Sequence, residues 1–222
     1  SSIASQTKAL LVDITHSGEL TTLAKERIWQ ETHKALNSRS PWVYFEVLEA
    51  CGALQVLMPA LAELLNRKPQ ALNTLKRLSE PENNAHIRLT GLLYQLNKPQ
   101  IEDLAAQIKI PNDPKNLALA TSNYQRQLRA YTELDASQKH QMLSNLGLLR
   151  HTDSLDQLLS LCEAITRTQE PLFGWQSPKQ HILADLARIQ SVKPVALMAQ
   201  GFTGKALGEA LKKALIDSIH QG

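Results

Sequence analysis

The sequence has few cysteines and no long apolar run. Its two cysteines, Cys51 and Cys162, lie in apolar helical patterns and have no neighbour at the spacing of a metal or redox motif. We therefore expect two buried thiols rather than a disulfide. No apolar run reaches the roughly 18 residues that a membrane-spanning helix needs, and no basic segment before an apolar core opens the sequence as in a secretion signal. A cytoplasmic protein without a membrane partner is expected.

The chain also lacks a strong excess of either charge. The formal charge is +3 over 222 residues, which by itself does not indicate a nucleic-acid surface. The distribution is more informative, because residues 67–98 contain only two acids, Glu80 and Glu82, against six cations: Arg67, Lys68, Lys76, Arg77, Arg88 and Lys98. This segment is either a phosphate-facing patch or the solvated face of an ordinary helical pair.

Strand-like alternation is absent, and nearly every segment follows the helical period. The sequence therefore predicts an all-α protein, an irregular array of short helices separated by proline-containing loops. Self-similarity at a fixed period, which would indicate a solenoid, is also missing. The apolar share of 43% is enough for a genuine core.

Local signals place most helices. We expect helices over 2–16, from Thr21 or Thr22 to about Asn37, over 41–50, over 59–65 and over 114–134, with later starts near Ser137, Asp153, Ser177 and Thr203. Ser40 before Pro41 predicts a capped helix start, and Gly52 a left-handed end. The stretch EPLFGWQSP, residues 170–178, has the composition of a linker. We expect Phe173 and Trp175 to pack into the core and hold this stretch in place.

A charged pair interrupts the apolar face of the second of these helices. Leu20, Ala24, Ile28 and Ala35 fall on one stripe at about 100° per residue, and Arg27 and Glu31 fall inside it. Because the two charges are four residues apart, they can pair with each other. We expect this pair to be held at a joint between packed elements rather than in water.

Recognisable catalytic chemistry is missing. The sequence has no nucleophile–base pair and no glycine-rich phosphate loop after a strand. The seven histidines show no metal-ligand spacing, and GFTGKALG near the end lacks the strand and spacing of a P-loop. No catalytic residue, metal site or cofactor is predicted for this chain.

Two stretches resemble a known family. KERIWQETHKAL, residues 25–36, and FEVLEACGALQVLMP, residues 45–59, resemble the neck of the bacterial class II tRNA nucleotidyltransferases, the CCA-adding enzymes. AQGFTGKALGEALKKALIDSI, residues 199–219, resembles their tail helix. The resemblance implies that Glu26, Arg27 and Glu31 brace the neck helices as structural support. It also rests on the following residues: Trp29, Cys51, Gly52, Ala53, Leu54 and Pro59.

The family's catalytic motifs do not occur in these residues. Neither the Asp-x-Asp metal carboxylates of the head nor the Glu-Asp-x-x-Arg motif that selects CTP and ATP is present. The resemblance therefore implies a C-terminal portion, inactive alone, with magnesium, CTP and ATP bound by the head. It implies an elongated arrangement of neck (1–66), body (67–150) and tail (151–222). Many members carry a His-Asp metal dyad in the body where this chain has Tyr94 and Gln95, which predicts no metal-dependent phosphatase.

The resemblance implies that tRNA is the partner. Recognition by body and tail would rely on shape and phosphates, with these candidate contacts: Arg67, Lys68, Lys76, Arg77, Lys205, Lys212 and Lys213. The tail lysines also suit a helix C-terminus without any RNA. Leu207, Leu211, Ala214 and Leu215 should dock the tail helix on its neighbours. The alternative is a helical protein–protein interaction module without RNA binding, whose affinity need not fall steeply with salt.

Overall fold

The computed structural model describes residues 20–220, together with Ser5, Lys8, Ala9 and Val12. All regular structure in this part of the chain is helical, so the all-α prediction is confirmed. The helix expected over 2–16 lies outside the continuously described residues.

The first part of the described chain forms eight α-helices and one 3-10 turn. The α-helices are α1 (Thr22–Leu36), α2 (Trp42–Ala50), α3 (Ala53–Leu57), α4 (Pro59–Arg67), α5 (Asn73–Arg77), α6 (Ala85–Leu93), α7 (Lys98–Ile108) and α8 (Asn112–Arg129). The 3-10 turn, Pro69–Leu72, lies between α4 and α5. Proline therefore starts two of these elements, as the sequence indicates.

The second part adds a 3-10 turn, Tyr131–Glu133, and five α-helices: α9 (Ala136–Asn145), α10 (Leu155–Gln169), α11 (Lys179–Ser191), α12 (Pro194–Ala199) and α13 (Gly204–His220). The chain forms two compact units. Unit 1 contains the residues up to Asn123 and Ala164–Phe173, and unit 2 contains Tyr124–Glu163 and the residues from Gly174 onward. The three-part division at residues 66 and 150 does not coincide with these units and stays a prediction.

The core of unit 1 is built around one face of α1. Ala24, Ile28, Thr32 and Leu36 are buried at a spacing of four residues, and α1 contacts α2, α6 and α7. Thr32 is accommodated because its hydroxyl donates to the Ile28 carbonyl at 2.7 Å and lies 2.9 Å from the Tyr44 hydroxyl. Burial raises the pKa of Tyr44 to about 12, so this hydroxyl stays protonated.

Several predicted helix ends are confirmed. Thr21 caps α1, with its hydroxyl accepting from the Ala24 amide at 3.1 Å. Gly52 adopts the left-handed conformation with φ 77° between α2 and α3, and Pro59 starts α4. The expected side-chain cap by Ser40 is wrong, because α2 begins after Pro41 without a side-chain hydrogen bond.

Later boundaries are correct within a few residues. The helix expected over 114–134 is α8, which ends at Arg129 before the 3-10 turn. The start expected at Ser137 belongs to Asp135, whose carboxylate accepts from the Gln138 amide at 2.8 Å in a capping box. The expectation that Phe173 packs into the core is wrong, since 70% of its surface is exposed. Trp175 is half-buried.

Unit 2 is organised around α13 and a buried carboxylate. Helix α13 packs against α9, α11 and α12. Its predicted docking side is confirmed, because these residues are partly buried: Leu207, Leu211, Ala214 and Leu215. Asp185 of α11 is buried and accepts from the Tyr131 hydroxyl and from Arg188, each at 2.7 Å. Burial and the contact with Asp185 raise the pKa of Tyr131, which keeps this hydroxyl a donor.

The two cysteines differ in exposure. Cys162 is buried, as expected, and burial raises the pKa of its thiol to about 12. Cys51 is exposed at the end of α2, so the expectation of a buried Cys51 is wrong. None of the helices in the described residues is long and apolar enough to cross a membrane.

Candidate nucleic-acid interface

The three predicted brace residues lie on the outer side of α1. Arg27 and Glu26 are exposed and Glu31 is half-buried, so the expectation that Arg27 and Glu31 form a buried pair is wrong. No ion pair joins them in the described part of the chain. Thr32, one residue along from Glu31, occupies the buried stripe in their place. Glu26 is instead 3.6 Å from the Lys109 ammonium at the end of α7, a half-exposed contact between two helices.

Four of the predicted RNA contacts lie on or beside α4 and α5 in unit 1. Arg67 ends α4 and is exposed, and Lys68 is half-buried just after it. Lys76 and Arg77 end α5 and are exposed. Both pairs lie at a helix C-terminus, where the helix dipole favours a cation. Their position is therefore explained without RNA as well as by RNA contact.

Lys76 also has a position fixed by its neighbours. Its ammonium lies 3.4 Å from the Glu46 carboxylate and 5.9 Å from the centre of the Trp42 ring. Glu46 and Trp42 both belong to α2. A cation therefore stands beside a half-buried indole, an arrangement in which the ring's negative face attracts the charge.

A second cation of this segment, Arg88, is buried in α6. Its exposed fraction is 6%. One terminal nitrogen donates to the carbonyls of Leu36 and Ser38 at 2.8 and 2.9 Å, and the other to those of Ser79 and Glu80 at 3.3 and 2.9 Å. These partners are carbonyl dipoles rather than carboxylates, so within the described residues the positive charge has no ion-pair partner.

The Arg88 side chain forms part of the wall of a cleft of about 710 Å³ in unit 1. We call this the Arg88 cleft. Cationic and aromatic parts of its wall come from Arg39, Trp42, Lys76 and Arg88, and amides from Asn37, Asn83 and Asn84. Glu80 contributes the carboxylate. The lining is therefore net positive, and the connection after α1 meets the loop before α6 there.

The three predicted tail contacts lie on α13 in unit 2. Lys205, Lys212 and Lys213 are exposed. Lys205 lies 3.9 Å from Glu209 one turn along the helix, a weak solvated contact. All three lysines are exposed while Ile219 of the same helix is buried. The Lys212 charge lowers the pKa of His140 in α9, a helix against which α13 packs.

Comparison with known proteins identifies relatives of this chain. The model described as "Probable RNA and SrmB- binding site of polymerase A" matches residues 2–65. A CCA-adding enzyme of Pseudomonas putida is 34% identical over 210 residues, which make up 95% of this chain and 55% of that protein. CCA-adding enzymes are therefore similar to this chain over nearly its whole length.

Two further relatives carry the name "Multifunctional CCA protein". That of Hahella chejuensis is 31% identical over 253 residues, covering 98% of this chain and 59% of the relative. That of Vibrio cholerae is 30% identical over 249 residues, covering 98% of this chain and 62% of the relative. The chain thus spans between 55 and 62% of the length of these CCA proteins. No solved structure matches it significantly.

Tyr94 and Gln95, which stand where the resemblance implies a His-Asp dyad in many relatives, have a structural role in this chain. Tyr94 is buried, with its hydroxyl 3.3 Å from Thr74 Oγ1 and accepting from Gln169 Nε2 at 3.2 Å. Gln95 donates to the Ala71 carbonyl at 2.9 Å. These contacts tie α6 to its neighbours. No group of three or more metal-ligating His, Cys, Asp or Glu side chains occurs among the residues that the structure describes.

Sequence reasoning missed the burial of Arg88 and of Asp185. Arg88 was counted with the exposed cations, although Ile87, Leu89 and the following apolar residues of α6 surround it in sequence. An arginine inside an apolar helical run is the signal that could have found it. Asp185 carries a similar signal, because Leu186 and Ile182 place it on the buried face of α11.

Proposed function

We propose that this chain is the C-terminal, tRNA-binding portion of a CCA-adding tRNA nucleotidyltransferase, which adds CCA to the tRNA 3′ end from CTP and ATP. The observation that carries the proposal is the similarity over 95% of the chain to a protein named as a CCA-adding enzyme. The family model that matches residues 2–65 names RNA in its description and so supports the same partner. Such a protein would work in the cytoplasm, where we place it.

The surface chemistry supports phosphate recognition. Arg67, Lys76 and Arg77 in unit 1 are exposed, as are Lys205, Lys212 and Lys213 in unit 2. Folded RNA is recognised largely through its shape and its phosphates, which need exposed cations rather than a deep pocket. Shape and charge are therefore the means of recognition in this proposal.

The isolated chain is expected to bind tRNA without extending it. CTP, ATP and magnesium would be bound by the nucleotidyltransferase head, since this sequence carries no Asp-x-Asp carboxylates and no base-selecting motif. Incubating the chain with tRNA that lacks CCA, labelled CTP, ATP and magnesium should leave the RNA unextended. Extension by the isolated chain would contradict this assignment.

Titration of labelled tRNA at several salt concentrations tests binding. Binding through phosphates must weaken linearly in log affinity against log salt. Reversing two exposed charges, Lys205→Glu with Lys212→Glu, should reduce that slope by about one per lost contact. Lys98→Glu with Lys193→Glu, at two exposed lysines that are not candidate contacts and lie outside residues 2–65, is the matched charge reversal and should leave the slope unchanged. A parent chain whose tRNA affinity does not change with salt, or that binds no tRNA, would contradict the proposal.

A second candidate is a helical protein–protein interaction module. The observation that favours it is α12, none of whose residues is buried. Val195 and Met198 in α12 are 72% and 56% exposed, and Phe202 after it is 37% exposed. A patch of this kind is typical of a docking surface. Under this alternative the salt titration with tRNA would show only weak, sequence-independent attraction to the mildly basic chain.

A further inference from the structure

The Arg88 cleft combines the three kinds of group that hold an unpaired nucleotide. These are a positive charge for the phosphate, an aromatic surface for the base and unused amides for the base edge. The volume of about 710 Å³ lies within the range of small-ligand sites and accommodates a nucleotide. All lining residues belong to unit 1.

The positive charge of the cleft is not cancelled by its own carboxylate. Arg39 is exposed at the mouth, and Arg88, 94% buried, is fixed by the four carbonyls described above. Its Nε has no hydrogen-bond partner in the described structure. The Glu80 side chain is the acid in the wall, but the Arg88 contact uses the Glu80 carbonyl rather than its carboxylate. Lys76 is paired with Glu46 of α2, which does not line the cleft, so three cations against two carboxylates leave one net positive charge. This charge favours an anionic ligand.

The phosphate position follows from where the charges lie. Arg39 and Lys76 are both exposed and line the cleft beside Trp42. Because the terminal nitrogens of Arg88 donate to carbonyls, Arg39 and Lys76 are the cations of the lining that can contact a phosphate. An exocyclic amino group of a base could donate to Glu80.

The base position follows from Trp42 and the two asparagines. Trp42 is half-buried, packs against the core of unit 1 and lines the cleft, with the Lys76 ammonium 5.9 Å from its ring centre. Asn84 caps α6 with its Oδ1, which accepts from the Ile87 amide at 3.0 Å. This leaves the Asn84 Nδ2 donor and the Asn83 amide available for hydrogen bonds to a base edge. Stacking on an indole with amide contacts at the edge is how single-stranded RNA bases are held.

We propose that the Arg88 cleft holds one unpaired nucleotide of a bound RNA, with its phosphate at Arg39 and Lys76 and its base between Trp42 and the amides of Asn83 and Asn84. The inference rests on the proposed function, since it names a contact within the same RNA interface. A free nucleotide offers the same chemistry. We assign the cleft to RNA because the family match covering Asn37–Trp42 names RNA.

An isosteric substitution tests the cleft without removing a helix cap. Asn84→Asp keeps the side-chain oxygen that caps α6, because Asp caps helices as well as Asn does, and replaces the amide donor with a carboxylate oxygen. Asn97→Asp is the matched control, because Asn97 caps α7 in the same way, with its Oδ1 accepting from the Gln100 amide at 3.0 Å. Asn97 does not line the cleft.

Binding is measured with the full 222-residue chain, a labelled unstructured octaribonucleotide and a blunt RNA duplex. Asn84→Asp should weaken binding of the single strand about tenfold, and Asn97→Asp less than twofold, because only the former places a repelled charge and a lost donor at the ligand. Duplex affinity should be equal in the two variants. Arg39→Gln should weaken binding of the single strand and reduce the salt dependence of that binding by about one unit of slope.

A photocrosslink gives an independent measurement. The same octaribonucleotide with 5-iodouridine should crosslink to Trp42, found by mass spectrometry in the tryptic peptide 40–67. The crosslink should disappear in Asn84→Asp and persist in Asn97→Asp. Equal thermal melts of the two variants exclude a folding defect as the cause.

Each other outcome overturns a defined claim. If the chain binds tRNA with the expected salt dependence but the two variants bind the single strand equally, the cleft assignment is wrong and the proposed function stands. If CMP, AMP or inorganic phosphate binds as tightly as RNA and is equally sensitive to Asn84→Asp, the cleft is a site for free anions. If the chain binds no RNA at all, the proposed function fails, and this inference fails with it.

Discussion

Arg88 donates to the carbonyl oxygen of Leu36 at 2.8 Å, a contact that joins residues 52 positions apart. Leu36 is the last residue of α1, where carbonyls have no partner within the helix. The same guanidinium also reaches Ser38, Ser79 and Glu80. One side chain of α6 therefore satisfies the end of α1 and the loop that follows α5.

Replacing Arg88 should destabilise unit 1 strongly. Arg88→Ala leaves several carbonyls without a donor, and we expect a loss of about 3–5 kcal/mol in the free energy of unfolding. Arg88→Lys should recover only part of this, because an ammonium cannot reproduce the planar fork that serves two pairs of carbonyls. Urea denaturation measures both. Arg77→Ala, an exposed cation, should lose less than about 1 kcal/mol; a similar small loss for Arg88→Ala would contradict the anchoring role.

Gly91 allows α6 to approach α5 closely. A Cβ at position 91 would collide with the Leu78 side chain and lie 3.5 Å from the Leu75 amide nitrogen. We expect Gly91→Ala to destabilise by about 1–3 kcal/mol, as overpacking does. The matched change Gly208→Ala in α13 has open space around the new methyl group and should stabilise by up to about 1 kcal/mol through helix propensity. Thermal melts that shift in the same direction would refute this contrast.

Unit 2 should lose stability in mild acid. His140 of α9 is buried, its ring nitrogens have no hydrogen-bond partner in the described structure, and burial followed by the Lys212 charge lowers its pKa from 6.5. Below that value the unfolded chain binds a proton that the folded chain resists, so the free energy of unfolding falls as the pH falls through about 6.5. Above that pH the stability contributed by neutral, buried His140 is fully present.

The acid effect is measured by melting the chain between about pH 7.5 and pH 5, a window set by the ordinary pKa of histidine. His140→Gln should flatten the dependence of the melting temperature on pH. His151→Gln, at an exposed histidine, should leave that dependence unchanged. His86 contributes in the same direction, since burial and then His33 lower its pKa. Identical slopes for His140→Gln and the parent would exclude His140 as a source.

Arg27 and Glu31 should matter little for stability. Because Arg27 is exposed and Glu31 is half-buried without an ion pair between them, Arg27→Ala should cost about 0–1 kcal/mol. Ile28→Ala, at the buried neighbour, should cost about 2–5 kcal/mol. Urea denaturation separates the two. A large loss for Arg27→Ala would restore the view that this residue braces packed helices.

The sequence predicted the features that depend on neighbouring residues. Thr21, Gly52 and Pro59 mark helix ends through local hydrogen bonding and backbone preference, and the structure confirms all three. The apolar side of α13 was likewise correct, since the helical period alone determines it. The all-α class followed from the same helical period.

Features that depend on tertiary contacts were not predictable in this way. Arg88 is buried because carbonyls distant in sequence meet its guanidinium. Thr32 lies on the buried stripe of α1 because Tyr44 offers a hydroxyl partner. A polar residue in this position was not expected, and the buried face was therefore placed too close to Arg27. Phe173 was expected to be buried because it is an aromatic residue in a loop. Its side chain is exposed instead.

The contrast between the two cysteines supplies the chain with its own reporter of local opening. Cys51 is exposed and Cys162 is buried with a pKa of about 12. Under native conditions a thiol reagent should modify the first within minutes, whereas the second can react only when the structure around it opens. The slow phase of alkylation therefore records the opening of the structure around Cys162 in α10, and a ligand that slows it must bind the closed form.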